Sequence, residues 1–173
     1  DFSADTNTEI DNANENKTLI NASVLGLIFE KINGYKDGSF YTPGYITMFM
    51  CKEAIRDAIV DKFKTEYNDN IETFEDLKDF CSQYFKWEDL LKFNQIINSL
   101  KICDPAVGSG HFLVSALNEV ISIKSELNIL CNKEGKRIPC EVTVENDELY
   151  ISYNEGELFE YNRKDTNSLL IQK

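Results

Sequence analysis

The spacing of hydrophobic and polar positions changes along the chain, and each change predicts a different kind of element. Residues 1–17 are rich in Asn, Asp and Glu with little to bury, and predict a loose polar arm. From about Asn21, Val24, Leu27, Ile28 and Ile32 recur at helical spacing, and Gly34 closes that helix. A polar loop over 34–40 leads to Tyr41-Thr42-Pro43, a helix start with Thr42 as cap. Pro43 takes the first helical position, where a missing N–H costs nothing. Ile46, Phe49, Met50, Ala54, Ala58 and Phe63 carry this helix to about residue 66. Thr73 and Asp76 make a capping-box start for a helix with Phe74, Leu77, Phe80, Cys81 and Tyr84. Trp87, Leu90, Leu91, Ile96 and Ile97 mark another, so the first hundred residues read as helical throughout.

The pattern then shortens. Leu100-Lys101-Ile102-Cys103 is a brief apolar run ended by Asp104-Pro105, where Pro105 biases Asp104 toward an extended backbone. Gly108-Ser109-Gly110 follows, then Phe112, Leu113, Ala116, Leu117, Val120 and Ile121 at helical spacing: strand, glycine loop, helix. Beyond about residue 129 the period falls to two. Val142 and Val144 alternate with Glu141 and Thr143, and Leu149, Ile151 and Tyr153 with Tyr150 and Ser152. Polar breaks at 145–147 and 154–156 predict a small antiparallel meander with one wet face.

Composition narrows the function classes. The 173 residues suit one compact domain or a little more, and 42% hydrophobic with 12% aromatic residues exclude wholesale disorder. Thirty acidic against 18 basic side chains leave a net charge of −12, which argues against nucleic acid held by bulk attraction to this chain. The five cysteines are odd in number and lack a C-x-x-C pair, so neither a disulfide framework nor a zinc knuckle is indicated. Free, mostly buried thiols in a reducing cytoplasm are expected. There is no apolar run long enough for a bilayer, and Asp1-Phe2-Ser3 is no signal region; the chain reads as cytoplasmic and as an excised piece of a larger protein.

The segment 104–113, Asp-Pro-Ala-Val-Gly-Ser-Gly-His-Phe-Leu, is where chemistry concentrates. Glycines between a strand end and a helix start let a ligand approach the backbone, and the helix offers unpaired N–H groups to electronegative atoms. An acid at the strand end accepts hydrogen bonds or balances a positive ligand. The alternative is an ordinary tight turn. Leu113 stands where a dinucleotide fingerprint needs Gly or Ala, so NAD is disfavoured, and the absence of Gly-Lys-Ser/Thr excludes a phosphate-cradling loop.

That segment resembles the S-adenosylmethionine loop of DNA amino-methyltransferases. Tyr41-Thr42-Pro43, 63 residues ahead of Asp104, resembles the motif these enzymes place before the loop. The lead-in 26–43 is similar to that of type IIG restriction–modification enzymes, their adenine-specific relatives and type I modification subunits, and the likeness covers roughly residues 22–127. The resemblance implies S-adenosylmethionine as cofactor. Thr42, with Pro43 and the helix start, would hold the methionine carboxylate, while Tyr41 packs against the cofactor or braces the loop. Asp104, followed by Pro105, would receive the ammonium. Ala106, Gly108, Ser109 and Gly110 allow close backbone approach, and Phe112 packs under the loop. His111 falls at the variable place of the motif and reads as a polar helix-start residue without a catalytic role.

The chain also departs from that family. Its prolines are Pro43, Pro105 and Pro139, so the Asn/Asp-Pro-Pro-Tyr/Phe motif that grips a flipped adenine is absent. Glu126, Glu145 and Asp147 are poorly placed to hold a ribose, and no catalytic or metal-binding residue is assigned. The expected fold class is α+β: a helical N-terminal region, the first strand–loop–helix of a Rossmann-like class I methyltransferase fold, and a small antiparallel meander. The expected organisation is an arm over 1–17 and a helical leader over 18–99. A first βα unit follows over 100–128, then a meander insertion over 129–173 running into the next, truncated segment. The resemblance implies a fragment of a bacterial DNA adenine-N6 methyltransferase, inactive alone, whose full-length parent acts on double-stranded DNA. Any fused endonuclease, and restriction or specificity subunits, would lie outside these residues; no membrane partner is expected. Two alternatives are a non-catalytic cofactor-binding or assembly module of a larger complex, and a methyltransferase acting on RNA or protein, against which the Tyr-Thr-Pro lead-in speaks.

Overall fold

The computed structural model describes residues 42–67, 70–145, 147–153 and 156–159, together with Ile28, Lys31 and Ile32. Ile28, Lys31 and Ile32 are helical and exposed; the polar arm, the rest of the first predicted helix and Tyr41 lie outside the described residues. Four helices follow, α1 (Gly44–Tyr67), α2 (Phe74–Ser82), α3 (Trp87–Asn98) and α4 (His111–Glu126), then strands β1 (Cys140–Glu145), β2 (Glu148–Tyr153) and β3 (Glu157–Leu158).

The helix α1 buries Thr47, Cys51, Ile55, Ile59 and Phe63, a series in steps of four that forms one stripe. Phe49 and Met50, expected on that stripe, are rotated off it and lie exposed. The helix starts one residue later than expected: the Pro43 carbonyl accepts the first bonds, from the Ile46 and Thr47 amides at 3.0 and 3.1 Å. Among the described residues the Thr42 hydroxyl caps nothing, and it is the Thr42 carbonyl that finds a partner.

At α2 the capping box forms as expected. Asp76 donates its N–H to the Thr73 hydroxyl at 3.2 Å and accepts the Thr73 N–H at 2.8 Å. Phe63 and Tyr67 of α1, Phe80 of α2, Tyr84, and Phe93 of α3 then interlock, with Tyr67–Phe80 centroids at 4.9 Å and Phe63–Phe93 at 5.5 Å. These rings weld the first three helices together.

The helix α4 keeps part of the expected apolar face, with Ala116 buried and Phe112 and Val120 packed on the core, but buries a polar stripe beside it. Its buried residues include His111, Ser115, Asn118, Glu119 and Ser122, while Leu113 and Leu117 stand 40% and 58% exposed. The polar stripe is buried because α1 and the β1–β2 hairpin supply partners for it. Arg56 of α1 reaches Glu119 and Glu126, and the Ser125 hydroxyl accepts the Val142 amide of β1 at 3.0 Å.

The meander is antiparallel in the order β1-β2-β3, with Val142 opposite Ile151 and Glu145 opposite Glu148. The expected strand over 100–103 is not formed. Those residues join no ladder, since a parallel strand needs a neighbour and none is present among the described residues.

Candidate functional site

The glycine loop is built from Asp104 onward. Asp104 turns the chain by accepting the Ala106 N–H at 2.9 Å, which occupies one carboxylate oxygen. Gly108 and Gly110 take φ of 51° and 82°, left-handed conformations that favour glycine. The Gly110 N–H closes the turn onto the Val107 carbonyl at 2.7 Å, and Gly110 serves as the N-cap of α4. A Cβ added at Gly110 would meet nothing within 4 Å, so open space faces the backbone there. Pro105, Ala106 and Gly108 are exposed; Asp104, Ser109 and Gly110 are half-buried. Phe112 packs against the core, and its carbonyl accepts the Cys51 thiol at 3.7 Å.

The loop and the Thr42-Pro43 segment meet at a residue for which no role was expected. His111 Nε2 lies 3.0 Å from the Thr42 carbonyl and 3.2 Å from the Thr47 hydroxyl, while Nδ1 lies 3.2 Å from the Ser109 hydroxyl. A carbonyl only accepts, so Nε2 carries a proton; in the neutral ring Nδ1 is then the acceptor and Ser109 the donor. Thr47 donates onward to the Pro43 carbonyl at 3.2 Å. Positions 69 residues apart are thereby joined through one imidazole, and the N-termini of α1 and α4 open side by side.

Behind this junction sits a buried polar cluster. Asp147, at the hairpin tip with φ of 67°, accepts the Ser115 hydroxyl at 2.6 Å, and its carbonyl accepts from the Asn118 amide at 3.0 Å. Its second carboxylate oxygen is buried with no partner among the described residues. Burial pushes the Asp147 carboxyl above its usual range, against the opposing pull of Ser115 and His111. Burial, reinforced by Asp147 and Glu119, pushes the Cys51 thiol up to about 11, so it remains a donor at neutral pH.

A cleft of about 740 Å³ opens along the polar stripe of α4, between Lys52 and Arg56 of α1, Ser115 and Ser122 of α4 and Val142 of β1. The loop residues 104–110 do not line it. Among the described residues no three His, Cys, Asp or Glu gather as metal ligands, and no helix is long and apolar enough to cross a membrane.

Of the predicted site residues, Thr42, Pro43, Asp104, Pro105, Ala106, Gly108, Ser109, Gly110 and Phe112 fall in the two segments that His111 joins, and Tyr41 lies outside the described residues. Sequence reasoning missed His111, Thr47, Ser115 and Asp147. Each matters through a contact with a distant partner, and no local periodicity announces such contacts. Glu126 turns out to be an ion-pair partner of Arg56, and Asp147 an anchor of the hairpin.

No family model matches the sequence, and no solved structure matches the chain. In an alignment 129 positions long that covers 66% of this chain, the chain is 34% identical to a protein of Methanocaldococcus jannaschii named "Putative type II restriction enzyme and methyltransferase". The matched stretch is 11% of that relative, so this chain spans about a tenth of its length. The glycine loop and its histidine junction thus lie in a chain similar to a short stretch of a restriction–modification methyltransferase.

Proposed function

We propose that this chain supplies the S-adenosylmethionine-binding part of a DNA adenine-N6 methyltransferase of a restriction–modification system. The observation that carries the reading is the convergence of Thr42 and Ser109 on His111, which sets two separated motifs at one place. The likeness to the Methanocaldococcus jannaschii protein supports the same class.

The residues present fit the cofactor's chemistry. The amides of Gly44 and Tyr45 in α1, and of His111, Phe112 and Leu113 in α4, precede the first intrahelical bonds. They offer donors with a favourable dipole to a carboxylate. The second carboxylate oxygen of Asp104, which does not take part in the bond to Ala106, suits an ammonium, and the space before Gly110 admits a bulky group against the backbone. When bound, S-adenosylmethionine supplies an activated methyl group; what this chain contributes is binding and orientation.

The chain has no pair of adjacent prolines, hence no Asn/Asp-Pro-Pro-Tyr/Phe to grip an extruded adenine. It therefore provides cofactor binding without methylating DNA alone, and the base-gripping and DNA-contacting parts belong to other polypeptide. In that reading residues 100–126 are the first βα unit of a Rossmann-like domain, whose strand gains its ladder from neighbours outside the described residues.

Calorimetric titration of the 173-residue chain with S-adenosylmethionine and S-adenosylhomocysteine, with NAD and ATP as controls, tests the reading. Selective binding that Asp104→Ala weakens is expected. Tighter binding of NAD or ATP, or no binding of either adenosyl compound, would overturn it.

A further inference from the structure

We propose that His111 is a positioning residue that fixes the α1 start and the glycine loop as one unit, on both sides of the cofactor reading above. The inference takes that reading as its basis but adds a role that the motif itself does not carry.

The ring is 5% exposed, so water has little access to replace its bonds. Among the described residues it is the one hydrogen-bonded link between the Thr42-Pro43 segment and residues 104–110. The loop's remaining hydrogen bonds stay within it or run to Val114, the first amide of α4 to bond back. The segment before the loop joins no ladder that would hold it. The α1–α4 pair is also held by contacts other than the ring. Cys51, Ile55, Ile59, Ala116 and Ile123 pack in one core there, and Arg56 pairs with Glu119 and Glu126 two turns further along. The imidazole sits at the open end of this packed pair, where it sets the separation of two helix N-termini rather than the fold.

Its two nitrogens have separable tasks. Nε2–H holds the Thr42 carbonyl, and Nδ1 orients the Ser109 hydroxyl. In the neutral ring the Ser109 hydroxyl donates a hydrogen bond to Nδ1, which turns the serine oxygen's remaining lone pairs away from the histidine. A Gln side chain carries an amide N–H at the reach of Nε2, an Asn amide stops at the reach of Nδ1, and Phe keeps the ring without either bond.

The test compares His111→Gln, His111→Asn and His111→Phe in the 173-residue chain by amide hydrogen exchange and by S-adenosylmethionine titration. Exchange at Ile46 and Thr47 is expected to speed up by about tenfold in Phe and Asn and to return to near wild type in Gln, exchange at Gly110 to speed up by about tenfold in Phe, and Ile59 and Phe93 to stay unmoved. Affinity is expected to follow the same order, weakened by about tenfold in Phe and Asn. Unchanged exchange at Ile46 and Gly110 in the Phe variant, or Asn behaving like Gln, overturns the inference; if Phe fails to fold, Gln against Asn decides. Exchange that follows the expected order in a chain that binds no adenosyl compound upholds the link and overturns the cofactor reading instead.

Discussion

Arg56 Nε of α1 and Glu119 Oε1 of α4 meet at 2.7 Å across 63 positions of sequence, with side chains only 17% and 11% exposed. The rest of the guanidinium bonds Glu126, and its face lies 4.3 Å over the Phe74 ring. Hydrogen bonds and opposite charge from both carboxylates hold the guanidinium proton more tightly than usual, although burial works against them. Removing Arg56 leaves the Glu119 carboxylate charged in a poorly hydrated place. We expect Arg56→Met to cost about 3 kcal/mol in urea unfolding, and Arg56→Met combined with Glu119→Leu to recover much of it. A double variant as unstable as the sum of the singles would show that the pair is not coupled.

Asp147 predicts a pH effect of unusual sign. Its folded carboxyl is raised by burial, so between the unfolded value of about 3.9 and the folded one the native chain holds more protons than the unfolded chain. Stability from this group is therefore full below about pH 4 and falls as pH rises through the folded value. Asp76 acts oppositely. The Thr73 hydroxyl, then the Thr73 and Glu72 amides, lower its carboxyl, giving stability that is present above the unfolded value and lost as pH falls through the folded one. Asp147→Asn keeps an acceptor for Ser115 and a residue at ease with φ of 67°. It should be at least as stable as wild type at pH 7, and urea midpoints against pH should lose their decline above about pH 4. Asp147→Ala, without the Ser115 bond, should be less stable than both.

These effects mark the boundary of what the sequence discloses. The capping box at Thr73 and Asp76 was legible because both bonds are made within four residues. The meander was legible because Val142, Ile151 and Tyr153 alternate with polar neighbours on a half-buried sheet. On α4, Ala116 was read correctly as core, but Leu113 and Leu117, which look like part of the same stripe, are exposed. Their polar counterparts Ser115 and Glu119 are buried only through Asp147 and Arg56, at 32 and 63 positions' distance. The two motif segments were found by resemblance. That His111 joins them follows only from the packing of α1 on α4.

Thiol reactivity gives a probe of the loop. Cys81 is buried, and that burial pushes its thiol up to about 12, with Cys51 at about 11; Cys103 is exposed, one residue before Asp104. At pH 8 Cys103 should react first with a chromogenic disulfide, and Cys103→Ser should abolish the fast phase. If the loop takes the adenosyl cofactor, S-adenosylhomocysteine should slow that phase by about tenfold at saturation, since reaction follows access. A fast phase that survives in Cys103→Ser would place the reactive thiol at the half-buried Cys131 or Cys140.

Two glycines separate stability from binding. Gly135 closes the turn of a small hairpin, its N–H bonding the Asn132 carbonyl at 3.0 Å with φ of 78°. A Cβ there would lie 3.0 Å from both the Cβ and the carbonyl oxygen of Trp87, atoms fixed by the first turn of α3. Gly110, with φ of 82°, has the same backbone requirement and open space instead. A left-handed alanine costs about 1–2 kcal/mol at either place, and the contact with Trp87 adds to it only at Gly135. Gly135→Ala should therefore be the less stable variant in urea while still binding S-adenosylmethionine under native conditions. Gly110→Ala should lose less stability and yet bind at least about tenfold more weakly, because its methyl group occupies the approach to the backbone. Loss of affinity in step with stability in both variants would place the ligand away from Gly110.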